Sequence, residues 1–130
     1  MLYFIEQVQN QGRVELVDQL FHPDFRNHTT EPTQGADRRG AYESMAMMRT
    51  AFSDFRVDVE RCIGDGDLVF TYKIFRGRHT GDWFGIASTG KNFEMGVMDV
   101  VRYRDGLQFE HWAVADGLGF LRQTGLLKEL

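Results

Sequence analysis

The segment NFEMGVMDVVRYRDGLQFEHWAVA, Asn92 to Ala115, is the most informative about the fold, because side chains alternate in polarity on either side of a tight turn. Alternation with a period of two is typical of strands that place successive side chains on opposite faces of a sheet. The tripeptide Arg104-Asp105-Gly106 is typical of a hairpin turn. We therefore predict two antiparallel strands, Asn92 to Tyr103 and Leu107 to Val114.

Asp99 is the odd member of an otherwise apolar row on the first of these strands. Burying an unpaired carboxylate is costly, so Asp99 is expected either to pair with an arginine, such as Arg102 or Arg76, or to face a polar cavity. The rest of its row consists of Phe93, Met95, Val97, Val101 and Tyr103.

Helical spacing precedes alternation along the chain, which indicates an α+β fold. Apolar residues three and four apart predict helices around Leu2 to Val8 and Leu16 to Phe21, the second ended by Pro23, and a third over Tyr42 to Phe52. Strands follow at Phe55 to Ile63 and Leu68 to Arg78, joined by the turn Gly64-Asp65-Gly66-Asp67. We predict one domain over residues 1–130, a curved antiparallel sheet with helices on one face.

Net charge and composition indicate which classes of binding partner the protein is not expected to have. The net charge is −4, and no basic run is longer than Arg38-Arg39, so we expect neither nucleic acid nor a membrane as partner. The N-terminus has no features of a signal peptide. The lone Cys62 favours a reducing compartment, so a cytoplasmic location is expected, and its position within a strand predicts a buried thiol.

The sequence lacks the motifs of several common kinds of catalytic or metal-binding site. The sequence has no G-x-S-x-G elbow and no glycine-rich phosphate loop, and its four histidines lack metal-ligand spacing, so no metal is expected. Acid-base chemistry in an apolar pocket remains.

Asp116 has two interpretations from the residues alone. It follows Trp112 and Val114 in strand phase, so it could point into a cavity where desolvation raises its pKa and suits it to proton transfer. It also precedes Gly117-Leu118-Gly119-Phe120, where it could cap a short helix. If Asp116 lies near Asp99, the two carboxylates would push their pKa values apart.

A family resemblance runs almost from end to end of the chain. The block GRHTGDWFGIASTGK (Gly77 to Lys91) followed by EHWAVAD (Glu110 to Asp116) is its most distinctive part. With HPDFRNH (His22 to His28) and LRQTG (Leu121 to Gly125), it resembles the SnoaL-like polyketide cyclases, or ester cyclases, of the nuclear-transport-factor-2-like superfamily.

The resemblance implies a fold and a reaction. The fold is a cone-shaped α+β barrel, a strongly curved antiparallel or mixed sheet around an internal pocket with about three N-terminal helices, usually as a homodimer. The reaction is an aldol-type cyclisation, or a related lyase or isomerase step, on a small, mostly apolar, polyketide-like carbonyl compound. It needs no metal or organic cofactor, and Asp116 matches the family's general acid/base.

The expected site combines the resemblance with the chemistry of the side chains. Asp116, Asp99 and His111 are the candidate catalytic residues. The aromatic loop His79 to Lys91 is a candidate lid over the pocket. The alternative is a non-catalytic module of the same fold that binds a small molecule or forms a dimer. The candidate substrate-binding residues are His28, His79, Trp83, Met48, Phe52, Met95 and Trp112.

Overall fold

A computed structural model describes residues 1–127, and its centre is a five-stranded sheet in the order β1-β5-β4-β3-β2. The pairs from β2 to β5 are antiparallel, whereas β1 runs parallel to β5, so the sheet is mixed. The predicted α+β fold is confirmed, while the last three residues of the predicted domain lie outside the described residues. The strands are β1 (Phe21–Asn27), β2 (Phe52–Asp65), β3 (Leu68–His79), β4 (Asn92–Arg104) and β5 (Leu107–Ala115).

The helices pack against one face of this sheet. The first, α1 (Leu2–Phe4), continues into a π-helical segment, Ile5–Asn10, and a 3-10 turn at Val14–Leu16 leads into the second. At the start of α3, the side chain of Asp37 accepts a hydrogen bond of 2.9 Å from the amide of Gly40 and so caps the helix. The remaining helices are α2 (Val17–Leu20), α3 (Arg38–Ala51) and α4 (Gly117–Gln123).

The strand β1 corrects the prediction for the second helix, which ends at Leu20 rather than at Phe21. Only Phe21 and Phe25 are buried in β1, and this spacing of four imitates a helix. Pro23 is tolerated because β1 is an edge strand, where a missing backbone N–H breaks no ladder. Pairing with β5 is irregular between Phe21 and Arg26, around this proline.

The core lies between the helices and the inner face of the sheet. At one end of it, aromatic rings pack edge to face around Phe120, with Trp83 at 4.6 Å and Phe93 at 5.0 Å between ring centroids. Phe52 joins the same cluster, 4.6 Å from Phe93. Burying each such ring contributes about 1.5–3 kcal/mol. This cluster anchors the loop after β3 to the core.

The outer face of the sheet is apolar at its centre although none of the helices described in residues 1–127 covers it. Cross-strand neighbours Phe70, Val100 and Trp112 form one row, and Tyr72, Met98 and Val114 form the next. Met98 is 59% exposed and Val114 is 76% exposed. Cys62 is also exposed, which corrects its predicted burial. Within residues 1–127, no helix has the length and apolar character needed to cross a membrane.

Candidate functional site

Three charged or ionisable side chains meet on the inner face of the sheet. Lys73 on β3 places Nζ 2.9 Å from Oδ2 of Asp99 on β4, and His111 on β5 places Nε2 3.5 Å from the same oxygen. The side chains of Lys73 and Asp99 are only 2% and 4% exposed. Because the three strands pair without a register shift around these residues, alternation brings them to one face.

Asp99 is ionised in this setting. Burial by itself raises the pKa of a carboxyl group, but hydrogen bonds from His111, Thr71 and Lys73, with the positive charge of Lys73, more than offset it. The pKa of Asp99 therefore lies well below its ordinary value. Burial, with the charge of Asp99, raises the pKa of nearby Tyr103 to about 12, so its phenol stays protonated.

The partner of Asp99 differs from both arginines that the sequence suggested. Arg102 and Arg76 occupy alternate positions on the outer face, where Arg102 pairs with Asp67 at 2.8 Å and Arg76 with Asp58 at 2.8 Å. The polar cavity offered as the other possibility is present, with Asp99 in its wall.

Hydrogen bonds fix the orientation of the His111 ring. The backbone N–H of Thr29 donates to Oδ1 of Asn27 at 3.0 Å, so this atom of Asn27 is an acceptor. His111 Nδ1 lies 3.1 Å from the same oxygen and must therefore carry the donated proton. Its other nitrogen, Nε2, faces Asp99, and a proton on that nitrogen would make a charge-assisted bond to the carboxylate.

A small interior cavity of about 60 Å³ adjoins this cluster. Gln9 from the π-helical segment and Gln108 from β5 also line it, and both side chains are almost fully buried. Sequence reasoning missed Lys73, Gln9 and Gln108. Lys73 had a usable signal, because it alternates with Thr71 and Phe75 on the buried face of β3, just as Asp99 interrupts the apolar row of β4.

Asp116 lies on the opposite face of the sheet from this cavity. Its side chain caps α4 by accepting a 2.9 Å hydrogen bond from the amide of Gly119, and the residue is exposed. It lines an open outer groove of about 630 Å³ with Arg76 and Glu94. This placement corrects the expectation that Asp116 points into the interior close to Asp99, because the Trp112 and Val114 face that it continues is the outer one.

Four predicted substrate-binding residues belong to the packed core and do not line the cavity. Phe52, Trp83 and Met95 pack with other apolar side chains, and His79 is completely buried. The Nδ1 atom of His79 lies 3.0 Å from the hydroxyl of Thr89, and its ring lies against Phe120. His79 therefore holds the loop after β3 in place.

Three other predicted binding residues also lie away from the cavity lining. Met48 on α3 is half-buried against the core. The rings of His28 and Trp112 stack at 4.7 Å on the outer side, where Nε2 of His28 lies 2.8 Å from Glu110. Of all the predicted site residues, the cavity wall contains only Asp99 and His111.

Comparison with known proteins agrees with this architecture. Residues 1–124 match the family model for SnoaL-like polyketide cyclases. The nogalonic acid methyl ester cyclase of Streptomyces nogalater is 30% identical over 118 residues, which cover 89% of this chain and 88% of that protein.

Solved structures of similar proteins share the whole fold. TsrD from Streptomyces laurentii superposes with a TM-score of 0.88 at 28% identity, covering 98% of this chain and 92% of TsrD. IdmH from Streptomyces antibioticus superposes with a TM-score of 0.80 at 30% identity, covering 95% of each chain. The match to the family model and the shared fold together place this chain in the SnoaL-like polyketide cyclase family.

Proposed function

We propose that this protein catalyses a cofactor-independent acid-base step, an aldol-type ring closure or a related lyase or isomerase step, on a small polyketide-like carbonyl compound. The carbonyl end of that compound enters the interior cavity. The observation that carries the proposal is the buried cluster of Lys73, Asp99 and His111 in the cavity wall. Membership of the family supports cyclase activity in general.

In the proposed first step, the Asp99 carboxylate accepts a proton from the carbon beside the ligand's carbonyl. The electron pair of the broken C–H bond moves into an enolate. A carboxylate of low pKa is a weak base, so this step needs strong stabilisation of the enolate oxygen. The ammonium group of Lys73 supplies it, because a charge in a buried site acts with little screening by water.

In the second step, the enolate carbon attacks another carbonyl group of the same molecule and forms the new C–C bond. The alkoxide produced takes up the proton that Asp99 accepted, so protons balance over the cycle. His111 holds the carboxylate in position, since its own orientation is fixed through Asn27. In this proposal Asp99 is the base, Lys73 supplies the positive charge for the oxyanion and His111 orients the base.

The body of the substrate is expected to lie outside the small cavity. The side chains of Gln34 and Ser44 are hydrogen-bonded to each other and line both the cavity and a surface groove of about 700 Å³ along α3. A groove of this size is in the usual range for small-molecule sites. We place the apolar part of the substrate there.

The proposed activity is tested with nogalonic acid methyl ester, the compound named in the relative from Streptomyces nogalater. Wild-type protein should convert the open compound to the ring-closed product, which chromatography with mass spectrometry separates. Asp99→Asn should lower turnover by about 10²–10⁴-fold, the usual effect of losing an acid-base group. Turnover by Asp99→Asn at the wild-type rate would rule out the assigned base.

The alternative function is a non-catalytic module that binds a small molecule or forms a dimer. The apolar outer face of the sheet favours a dimer, and a dimer is also compatible with catalysis. An apolar centre bordered by charged residues such as Arg76, Glu94 and Arg102 is typical of a protein interface. The border carries both signs of charge, so two copies related by a two-fold axis can match opposite charges. We propose that this face forms a homodimer.

A further inference from the structure

Two buried amide atoms of residues that line the interior cavity have no hydrogen-bond partner among residues 1–127. They are Oε1 of Gln9 and Nε2 of Gln108. Gln9 is 5% exposed and Gln108 is 2% exposed, and both side chains line the cavity beside Lys73 and Asp99. Buried polar groups are nearly always paired, so two orphaned atoms at one cavity indicate a site for a polar ligand.

The two atoms have opposite hydrogen-bonding character. Nε2 of Gln9 lies 3.9 Å from the sulfur of Met45, which leaves the amide oxygen of Gln9 as the free acceptor. The amide nitrogen of Gln108 is a donor. A ligand that satisfies both must therefore offer one hydrogen-bond donor and one acceptor.

The polar groups beside Gln9 and Gln108 already have hydrogen-bond partners within the protein and leave the two amide atoms unpaired. Asp99 is engaged by Thr71, Lys73 and His111, and His111 also contacts Asn27. The cavity of about 60 Å³ has room for a group of roughly four to six water-sized atoms, at about 10–15 Å³ for each.

We propose that Gln9 and Gln108 are specificity residues that recognise a carbonyl group bearing a neighbouring hydroxyl. Nε2 of Gln108 donates to the carbonyl oxygen, and Oε1 of Gln9 accepts the hydroxyl proton. This inference rests on the proposed function in that the cavity receives the carbonyl end of the substrate. It adds the chemical class of that end, an α-hydroxyketone or an equivalent hydroxyl-bearing carbonyl, and predicts weaker binding of a plain ketone.

The site should prefer a hydroxyl-bearing carbonyl because a ligand without the hydroxyl leaves one buried polar atom unpaired. A plain ketone of the same size would fill the cavity but leave the Gln9 oxygen buried without a donor. Sites built to hydrogen-bond a hydroxyl discriminate against analogues that lack it for this reason.

Binding of two fragments of equal size tests the proposal without any turnover. Hydroxyacetone and butanone differ only in that a hydroxyl replaces a methyl group. Titration of each into isotope-labelled protein, followed by the side-chain amide resonances of Gln9 and Gln108, gives the two dissociation constants. Wild type should bind hydroxyacetone about three- to tenfold more tightly, as expected for one extra neutral hydrogen bond, and both amide resonances should shift.

Variants separate the two roles. Gln9→Met keeps the length of the side chain but removes the acceptor, so the preference for hydroxyacetone should fall to about onefold while butanone binding persists. Gln108→Met should weaken both fragments. The matched control is Gln11→Met, because Gln11 is exposed on the same segment of chain and bonds Glu6 rather than the cavity.

Equal affinity of wild type for the two fragments would overturn the proposal, and so would amide resonances of Gln9 and Gln108 that do not respond to saturating hydroxyacetone. Both outcomes are measured on wild-type protein, so they stand even if a variant fails to fold. Because neither fragment can cyclise, loss of the fragment preference contradicts this inference alone. The turnover of Asp99 variants, by contrast, tests only the proposed function.

Discussion

Lys73 Nζ and Asp99 Oδ2 lie 2.9 Å apart on neighbouring strands, and both side chains are withdrawn from solvent. A buried ion pair is weak evidence for stability, since desolvation of two charges can exceed their attraction. Apolar residues would fill the same space at less cost. The pair is therefore better explained by what its charges do at the cavity than by what they contribute to folding.

Removing one member of this pair should destabilise the protein strongly. Lys73→Met leaves Asp99 buried without its counter-ion, so we expect a loss of about 3–5 kcal/mol in the free energy of unfolding. Urea denaturation measures it. The double variant Lys73→Met/Asp99→Leu should recover much of this loss, because no uncompensated charge remains. A fully additive double variant would contradict the coupling of the two residues.

Acid should remove the stability that Asp99 contributes. Its pKa is lowered in the folded state, so the unfolded state binds its proton first as the pH falls. The contribution is fully present above the unfolded value of about 3.9 and is lost as the pH drops further, through the folded value. The stability difference between wild type and Asp99→Asn should therefore shrink between pH 5 and pH 2, measured by thermal unfolding. A constant difference over that range would contradict the lowered pKa.

The cap of α4 should depend jointly on Asp116 and Gly119. Asp116→Ala should cost about 1 kcal/mol, whereas Asp116→Asn should cost little because asparagine caps equally well. A Cβ added at Gly119 would come within 2.3 Å of Asp116 Oδ2, so Gly119→Ala should displace the cap.

In the Asp116→Ala background, that clash is gone. Gly119→Ala should then be neutral or stabilising, because alanine is the better helix former. Chemical denaturation of the four proteins in this cycle measures the coupling. Equal effects of Gly119→Ala in both backgrounds would show that Asp116 does not cap α4 in solution.

The outer face should set the oligomeric state. Val114 is an exposed member of the apolar rows, so Val114→Arg would bury a charge in a dimer interface and should yield monomers. Sedimentation velocity compares it with wild type and with Gln11→Arg, a control at an exposed position on the helical side. A wild-type protein that is monomeric at micromolar concentration would contradict the proposed homodimer.

Much of the fold could be predicted because buried and more exposed side chains alternate along most of β3 and β4. The edge strand β1 could not, since two buried residues four apart give the spacing of a helix. Which face of β5 is buried could not be predicted from the sequence either. Its outer residues Trp112 and Val114 are more apolar than the inner residues His111 and Ala113, so hydrophobicity favoured the wrong face.

The site was predictable only in part for the same reason. Asp99 was visible as a carboxylate in an apolar row, and His111 lies opposite Val101 on the same inner face. Gln9 was hidden, because its position depends on a π-helical segment that ordinary helical spacing does not predict. Asp116 satisfies the cap interpretation that its spacing offered, and its place on the outer face follows from the strand phase.

Proton abstraction at the interior carboxylate is tested most directly by exchange of the protons beside a carbonyl group. Wild type, Asp99→Asn and Asp116→Asn are each incubated with hydroxyacetone in heavy water, and NMR follows the loss of its carbon-bound protons. Wild type and Asp116→Asn should accelerate exchange equally, while Asp99→Asn should fall to the rate in buffer. Exchange that persists in Asp99→Asn and disappears in Asp116→Asn would contradict the interior site and identify Asp116, on the outer face, as the base.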